Sequence, residues 1–319
     1  MQDSSHFCLL MNLRYFLMRY GLCVPIETIG LYLGFTGFFI ADDMTADGDI
    51  IHGRNCDTHS LFLRFQRIIA PNILPVCEND YQDPLLWDKH KQSLVWLNQR
   101  YLPYSPNHLV SDCDTLAVFV ARYDDVVTIY DYGLRDLMLE DFIKSLNYNC
   151  EPLVMRYVCD KINFAMDKSQ MIINGIRYLY NCKQNQMNRI QKGVYGPEGM
   201  MLLRNRLNEI RDGHVLYNIY LQMSRPGGVI KTRETIQKAF KTLYEESGID
   251  TSQTAGVTYG DLASEWLMIA NLIFRLSADY DRELRKRIQV RIDNIIEKEG
   301  NAMNVLKAVE EVYIRNLVV

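Results

Sequence analysis

A cysteine opens a predicted helix close to the beginning of the chain. Cys8 begins the segment 8–20, in which Leu9, Leu13 and Phe16 recur at helical spacing. The first turn of a helix carries partial positive charge and unpaired N–H groups, and both stabilise a thiolate relative to a thiol. This placement predicts that Cys8 is a nucleophile, with a buried and unreactive thiol as the alternative.

Composition and charge narrow the classes of protein. The chain has 319 residues, a net charge of −4 and a pI near 5.9, which argues against a nucleic-acid-binding protein. The sequence contains no run of 18 apolar residues, so we expect no transmembrane span. Seven residues precede Cys8, too few for a signal peptide, and eight cysteines form no CxxC pair. We therefore expect a cytoplasmic protein with free thiols and no association with a membrane.

Two helices and a hairpin should position the chemistry in the first part of the chain. The pattern predicts a helix over 8–20 and a second helix from Pro25 to near Gly34. It also predicts a helix at 60–69 and a short buried strand at 71–76. The segment 85–102 begins with a helical pattern and ends as a strand. Two β-branched runs around Asp124 and Asp125 predict a β-hairpin over 115–133.

The pattern changes near residue 150. Strand signals nearly vanish, and helical patterns cover 152–186, 197–222, 232–247, 257–279 and 281–317. The sequence therefore predicts an α+β protein with two domains, the first over 1–150 and an all-helical second domain over 151–319.

Motifs in a fixed order carry a resemblance to a known family. After Cys8 the chain has the following matching segments: "LRYFL" at 13–17, Gly21, Glu27, Gly30, "LGF" at 33–35, Gly53-Arg54, "YLPYS" at 101–105, "FVARYDD" at 119–125 and "VTIYD" at 127–131. This order resembles the family of butirosin biosynthesis protein H, a relative of the C39 cysteine peptidases. The segments 224–247 and 259–273 resemble the helical domain of that family, so the resemblance spans nearly the whole chain.

The resemblance implies a papain/C39-like N-terminal domain that transfers acyl groups in specialised (secondary) metabolite biosynthesis. Cys8 would take an acyl group from the phosphopantetheine thioester of an acyl-carrier protein, and the amine of a small-molecule acceptor would then attack the acyl-enzyme. Phosphopantetheine would arrive as part of the substrate, so no resident cofactor or metal ion is expected. The resemblance further implies substrate-binding positions at His6, Glu27, Tyr101 and Tyr104, while the apolar helical half could mediate a homodimer.

The catalytic histidine of the family is missing from its expected position. Counting back seven residues from Tyr123 reaches Leu116. Three alternatives remain open: His108 reaches Cys8 through a shifted loop, Asp114 replaces the histidine, or the chain binds without catalysis. Asp131 matches the third position of the triad, where it would orient a histidine or complete the site, and its alternative role is that of a turn residue at the end of a strand.

Two further alternatives concern function and partner recognition. A hydrolase would use water as the acceptor, and a catalytically silent binding protein would keep the fold without the triad. The segment 282–291 carries five basic residues that could dock an acidic carrier protein. The other interpretation of this segment is a solvated helix face whose charges pair with neighbouring acidic residues.

Overall fold

The structure is a computed structural model, and it describes residues 8–41, 51–53, 58–78, 93–105, 108–109, 114–146, 154–159, 161–164, 166–180, 193–279 and 281–317. The helices are α1 (Cys8–Arg19), α2 (Ile26–Tyr32), α3 (Thr58–Ile68), α4 (Leu139–Ser145), α5 (Lys168–Tyr180), α6 (Gly196–Arg206), α7 (Gly213–Ser224), α8 (Val229–Ser247), α9 (Asp250–Ala278) and α10 (Arg282–Leu317). The strands are β1 (Phe39–Ala41), β2 (Ile51–His52), β3 (Leu74–Glu78), β4 (Ser93–Asn98), β5 (Asp114–Tyr123), β6 (Val126–Tyr130), β7 (Leu134–Met138), β8 (Val154–Val158) and β9 (Gly193–Tyr195).

The chain forms two compact units. The sheet unit takes in Phe7–Ile26 and Ile69–Ala165, and the helical unit takes in Glu27–Ile68 and Met166–Val319. Each unit therefore combines segments that are distant in sequence. The division into domains at residue 150 stays a prediction, since compactness of the fold does not show where an evolutionary domain begins.

The sheet unit is built on six antiparallel strands in the order β3-β8-β4-β5-β6-β7. Helix α1 packs against β5, and the Tyr15 ring stacks on Tyr130 of β6 with the ring centroids 3.9 Å apart. Because successive strand residues point to opposite faces, Ile129 lies on the other face, where it joins a buried cluster with Phe119 and Phe142 of α4. The central strands are thus covered on both faces.

A β-bulge interrupts the pairing of β5 with β6. Phe119 pairs with Ile129, but Ala121 pairs with Thr128, so Val120 is an extra residue on β5. The two strands are joined by a tight turn in which Asp124 has a φ of 51°. The predicted hairpin is confirmed, and the bulge changes which β5 side chains face the end of β6.

The helical unit consists mainly of α2, α3 and α5–α10, with a small sheet in the order β2-β1-β9. Helices α2 and α5 approach closely, since a Cβ atom added at Gly175 would lie 2.0 Å from the carbonyl oxygen of Leu31. Gly34, just after α2, has a φ of 57° that suits glycine. No described helix is both long enough and apolar enough to span a bilayer.

Most of the predicted elements are confirmed, with corrections after residue 150. The region is mainly helical, but 154–158 forms β8 inside the predicted helix 152–186, and 193–195 forms β9. The prediction of an all-helical second half is therefore wrong. Strand β8 pairs with both β3 and β4, and this pairing outweighs a local helical pattern. The predicted helix 197–222 is two helices, α6 and α7.

The remaining predictions for the first half have mixed outcomes. The helices at 8–20 and 60–69 and the one from Pro25 are confirmed by α1, α3 and α2. The strand at 71–76 corresponds to β3, although its first residue, Leu74, is 64% exposed rather than buried. The predicted strand at the end of 85–102 is confirmed by β4, and the helical beginning of that segment lies outside the described residues.

Candidate functional site

The candidate nucleophile is the first residue of α1. Cys8 is half-buried and carries a reduced thiol, and Leu9, Leu10 and Leu13 anchor the helix in the core behind it. The prediction that a helix begins at Cys8 is confirmed. The partial positive charge at a helix N-terminus favours the ionised form of a thiol at that position.

Asn12, one turn after Cys8, connects α1 to the ends of two strands. Its side chain is fully buried, and Nδ2 donates to the carbonyl oxygen of Leu116 and to Asp131 Oδ1, each at 2.8 Å. Its Oδ1 accepts from the backbone N–H of Tyr132 at 2.7 Å. Residues four apart lie on the same helix face, so these bonds hold Cys8 beside the segment that follows β6.

Asp131 is a buried carboxylate with donors on both oxygens. Oδ1 accepts from Asn12 and from the Thr115 hydroxyl at 3.1 Å, and Oδ2 accepts from the Tyr104 hydroxyl at 3.0 Å. Burial raises the pKa of Asp131 above 3.8, although these three donors and the charge of Arg135 act in the opposite direction. Burial and the charge of Asp131 also raise the pKa of Tyr104.

Tyr132 and Arg135 complete the cluster beside Cys8. Tyr132 has a φ of 42°, an uncommon backbone conformation for a residue with a side chain. Burial raises the pKa of Tyr132, and the neighbouring Cys8 and Asp131 raise it further. The guanidinium carbon of Arg135 lies 5.1 Å from the centroid of the Tyr104 ring and 5.6 Å from that of the Tyr132 ring. We call Cys8, Asn12, Tyr104, Thr115, Asp131, Tyr132 and Arg135 the thiol cluster.

The strand side chain that reaches Asp131 is Thr115. Counting back seven residues from Tyr123 places the family's histidine position at Leu116, and this count crosses the bulge at Val120. Side chains alternate between the two faces of a strand, and a bulge shifts that alternation by one residue. Thr115 therefore shares a face with Asp131 and donates to it, while Leu116 contributes its backbone carbonyl to Asn12. The contact between β5 and Asp131 is made by a hydroxyl at this position.

The other predicted site residues have different surroundings. His108 is half-buried, and its backbone N–H donates to the carbonyl oxygen of Ser105 at 3.0 Å. Within the described ranges, no hydrogen bond joins its imidazole to Cys8 or Asp131. Asp114 is the first residue of β5 and pairs with Asn98.

The predicted substrate-binding residues are likewise spread over the chain. Tyr104 belongs to the thiol cluster, and Tyr101 ends the short 3₁₀ helix Gln99–Tyr101. Glu27 lies in the first turn of α2, in the helical unit. His6 lies outside the described residues.

Sequence reasoning missed four members of the thiol cluster, namely Asn12, Thr115, Tyr132 and Arg135. One signal was available, because Asn12 is a polar residue in the apolar stripe of α1 and lies four positions after Cys8. A polar residue on a buried helix face needs hydrogen-bond partners, which points to other polar groups nearby. Tyr132 and Arg135 gave no comparable signal.

The basic segment of α10 is largely engaged within the helical unit. Arg285 is buried and donates to the carbonyl oxygens of Leu207 and Ile210, just after α6. Arg291 pairs with Glu265 at 3.0 Å, and Lys286 pairs with Glu283 at 2.8 Å. These contacts favour a structural role for the segment, and carrier-protein docking stays a prediction.

Within the described part of the chain, no three His, Cys, Asp or Glu side chains are grouped to hold a metal ion. The expectation that no resident cofactor is needed stays a prediction. No known family profile matches the chain, and no curated protein matches it in sequence. The geometry of the thiol cluster is therefore the basis for proposing a function.

Proposed function

We propose that the chain is a cysteine-dependent acyltransferase with Cys8 as its nucleophile. The observation that carries the proposal is the position of Cys8, a half-buried reduced thiol at the N-terminus of α1, one helical turn from Asn12 and its bonds to Asp131 and Tyr132. A helix N-terminus supports a thiolate, and the hydrogen-bonded turn holds it in one position. The described helix–sheet arrangement also supports a papain-like interpretation of the sheet unit.

The proposed substrate is an acyl thioester on the phosphopantetheine of a carrier protein. The Cys8 thiolate attacks the carbonyl carbon, the bond from that carbon to the phosphopantetheine sulfur breaks, and the released thiolate takes a proton. An amine then attacks the acyl-Cys8 thioester, forming an amide and losing a proton as the Cys8 thiolate departs. Specialised metabolite biosynthesis is the setting that the family resemblance favours, and the cytoplasm is the proposed compartment.

One observation favours a catalytically silent binding protein as the second candidate. The donors to Asp131 within the described residues are an amide, a hydroxyl and a phenol, from Asn12, Thr115 and Tyr104. None of these groups is a strong base at neutral pH. Acyl transfer by this cluster therefore depends on ionisation of the thiol at the helix N-terminus.

Intact-mass analysis after incubation with an acyl-pantetheine thioester separates the two candidates. We expect an acyl adduct on the wild-type protein that disappears in Cys8→Ser. Cys23→Ser is the matched control, because Cys23 is an exposed thiol elsewhere in the sheet unit. An adduct that persists in Cys8→Ser, or no adduct at all, would contradict the acyltransferase proposal.

Addition of a primary amine to the acylated protein then distinguishes transfer from hydrolysis. Transfer predicts amide product at a rate that increases with amine concentration. Release of the free acid alone, at a rate that is independent of the amine, would indicate a thioester hydrolase instead.

A further inference from the structure

Arg135, in the thiol cluster, has a buried guanidinium N–H group without an acceptor among the described residues. It lies on β7, an edge strand of the six-stranded sheet, and its Nε is buried without a hydrogen-bond partner among the described residues. A buried N–H group without an acceptor is costly, so such a group in a folded protein calls for an explanation.

Among the described residues, no carboxylate forms a hydrogen bond or ion pair with Arg135. Asp131 accepts its hydrogen bonds from Asn12, Thr115 and Tyr104, and the charge of Arg135 acts on it from a longer distance. Nε of Arg135 has no acceptor among the described residues.

The two tyrosine rings restrict how a ligand could approach. Tyr104 and Tyr132 lie over the guanidinium at 5.1 and 5.6 Å, the arrangement of a cation on aromatic faces. The Nε–H group has no acceptor in the described part of the chain, and Nε and Nη2 together can donate two parallel hydrogen bonds to a carboxylate.

Gly133 lies beside the edge of the guanidinium that Nε and Nη2 form. A Cβ atom built on Gly133 would lie 3.8 Å from Arg135 Nη2 and 4.0 Å from Nε, the two nitrogens of one bidentate edge. The glycine thus leaves a space about the size of a methyl group against that edge. These distances are ordinary van der Waals contacts, so alanine would fill the space without forcing the fold to move.

From these observations we infer that Arg135 binds a carboxylate carried by the acyl group that Cys8 receives. The backbone N–H of Tyr132 donates to Asn12, one helical turn after Cys8, and the Tyr132 ring lies 5.6 Å from the guanidinium carbon of Arg135. The carboxylate would therefore belong to a short acyl chain close to the reacting carbonyl. The substrate class is a dicarboxylic half-thioester or a related acidic acyl group. This inference rests on the proposed function of Cys8, and its test is arranged so that the two can fail separately.

The test compares glutaryl-N-acetylcysteamine with the methyl ester of its free carboxylate as acyl donors. In each case Cys8 sulfur bonds to the thioester carbonyl carbon, the bond to the N-acetylcysteamine sulfur breaks, and the thiol is released after protonation. Because charge-assisted bidentate hydrogen bonds discriminate strongly, we expect the acid to acylate Cys8 at least about tenfold faster than its methyl ester.

Two variants test whether the Nε–Nη2 edge of Arg135 causes any such preference. Arg135→Gln should abolish the preference for the acid, so that the acid and its methyl ester acylate Cys8 at similar rates. Gly133→Ala retains the cation but fills the space at Nε and Nη2, so it should also reduce the preference. Equal rates for acid and ester in the wild type, or a preference that survives Arg135→Gln, would overturn the inference and leave the role of Cys8 intact.

A binding measurement decides the inference even if no thioester reacts. We expect calorimetry to detect glutarate binding to the wild-type protein, with loss of binding in Arg135→Gln and no binding of glutaramide. Inorganic phosphate is the third probe. Phosphate binding at the expense of glutarate, or no Arg135-dependent glutarate binding, would overturn the assignment of a carboxylate.

Discussion

The side-chain amide of Asn12 donates to the buried carboxylate of Asp131 at 2.8 Å. This bond joins the helix that begins with Cys8 to the end of β6, and it lies at the centre of the thiol cluster. The same amide holds the backbone of Tyr132 through its oxygen. Positioning of the thiol and burial of the carboxylate therefore depend on one side chain.

Replacing Asn12 with alanine should destabilise the sheet unit strongly. The change removes two hydrogen bonds from Nδ2 and leaves the backbone N–H of Tyr132 without its acceptor. We expect the free energy of unfolding to fall by about 2–4 kcal/mol, measured by chemical denaturation. Arg14→Ala is the matched control, since Arg14 is exposed on the same helix and should change stability by about 0.5 kcal/mol or less. Equal effects of the two substitutions would contradict the role of Asn12.

Asp131 should make stability depend on pH in a defined direction. Because burial raises its pKa above 3.8, the folded protein binds the proton more tightly than the unfolded chain does. The stability contribution of this group is therefore greatest below pH 3.8, falls as the pH rises through the folded pKa, and is constant above it. The unfolding free energy of Asp131→Asn minus that of wild type should rise with pH across this window.

Denaturant titrations at a series of pH values measure that difference. Asp136→Asn is measured in parallel as the control for loss of one carboxylate, because Asp136 is exposed on β7. A difference for Asp131→Asn that falls with increasing pH would reverse the assigned direction of the pKa.

The local patterns of the sequence predicted helices and the hairpin because these elements depend on nearby residues. The apolar stripe of α1 and the two β-branched runs around the turn at Asp124 are both local signals. Strand β8 was missed because its stabilisation comes from pairing with β3 and β4, which are distant in sequence. Such pairing cannot be seen in the periodicity of one segment.

The candidate site shows a similar division between local and distant information. Cys8 is predicted from its place at the start of a helix and from the family resemblance, and Asp131 from its match to the third position of the family's triad. Counting along the sequence places the family's histidine position at Leu116, whereas the β5 side chain that reaches Asp131 is Thr115, because the count cannot detect the extra residue at Val120. Arg135 belongs to the thiol cluster because β7 pairs with β6 in a register that places it opposite Ile129. A single-segment pattern does not reveal that register.

Gly175 should tolerate no side chain. A Cβ atom there would lie 2.0 Å from the carbonyl oxygen of Leu31, so α2 and α5 would have to separate. We expect Gly175→Ala to reduce stability by about 3 kcal/mol. In Gly300→Ala the new methyl group meets no atom within 4 Å, and alanine favours the helix, so α10 should become more stable by about 0.5–1 kcal/mol. Thermal unfolding of both variants measures the contrast, and a stabilising Gly175→Ala would contradict the close approach.

The ion pair between Arg233 and Glu299 should be essential to the helical unit. Arg233 is 1% exposed, donates to Glu299 at 2.6 Å, and also donates to the carbonyl oxygen of Gly37. Trp266 Nε1 donates to the same glutamate oxygen at 2.9 Å. Arg233→Met would leave the carboxylate buried without its cation, and we expect a loss of about 3–5 kcal/mol in the free energy of unfolding.

An exposed ion pair serves as the control, because it carries the same charges as the buried pair but is accessible to solvent. Lys241 and Glu245 lie 3.8 Å apart on α8 with side chains 74% and 61% exposed, so Lys241→Met should cost no more than about 0.5 kcal/mol. Glu299→Gln would keep an oxygen for Trp266 but remove the charge facing Arg233, and its cost should fall between those of the other two variants. The buried cation of Arg233 connects α8, α10 and the segment before β1. Similar small losses of stability for Arg233→Met and Lys241→Met would contradict this role and show that apolar packing holds these elements together.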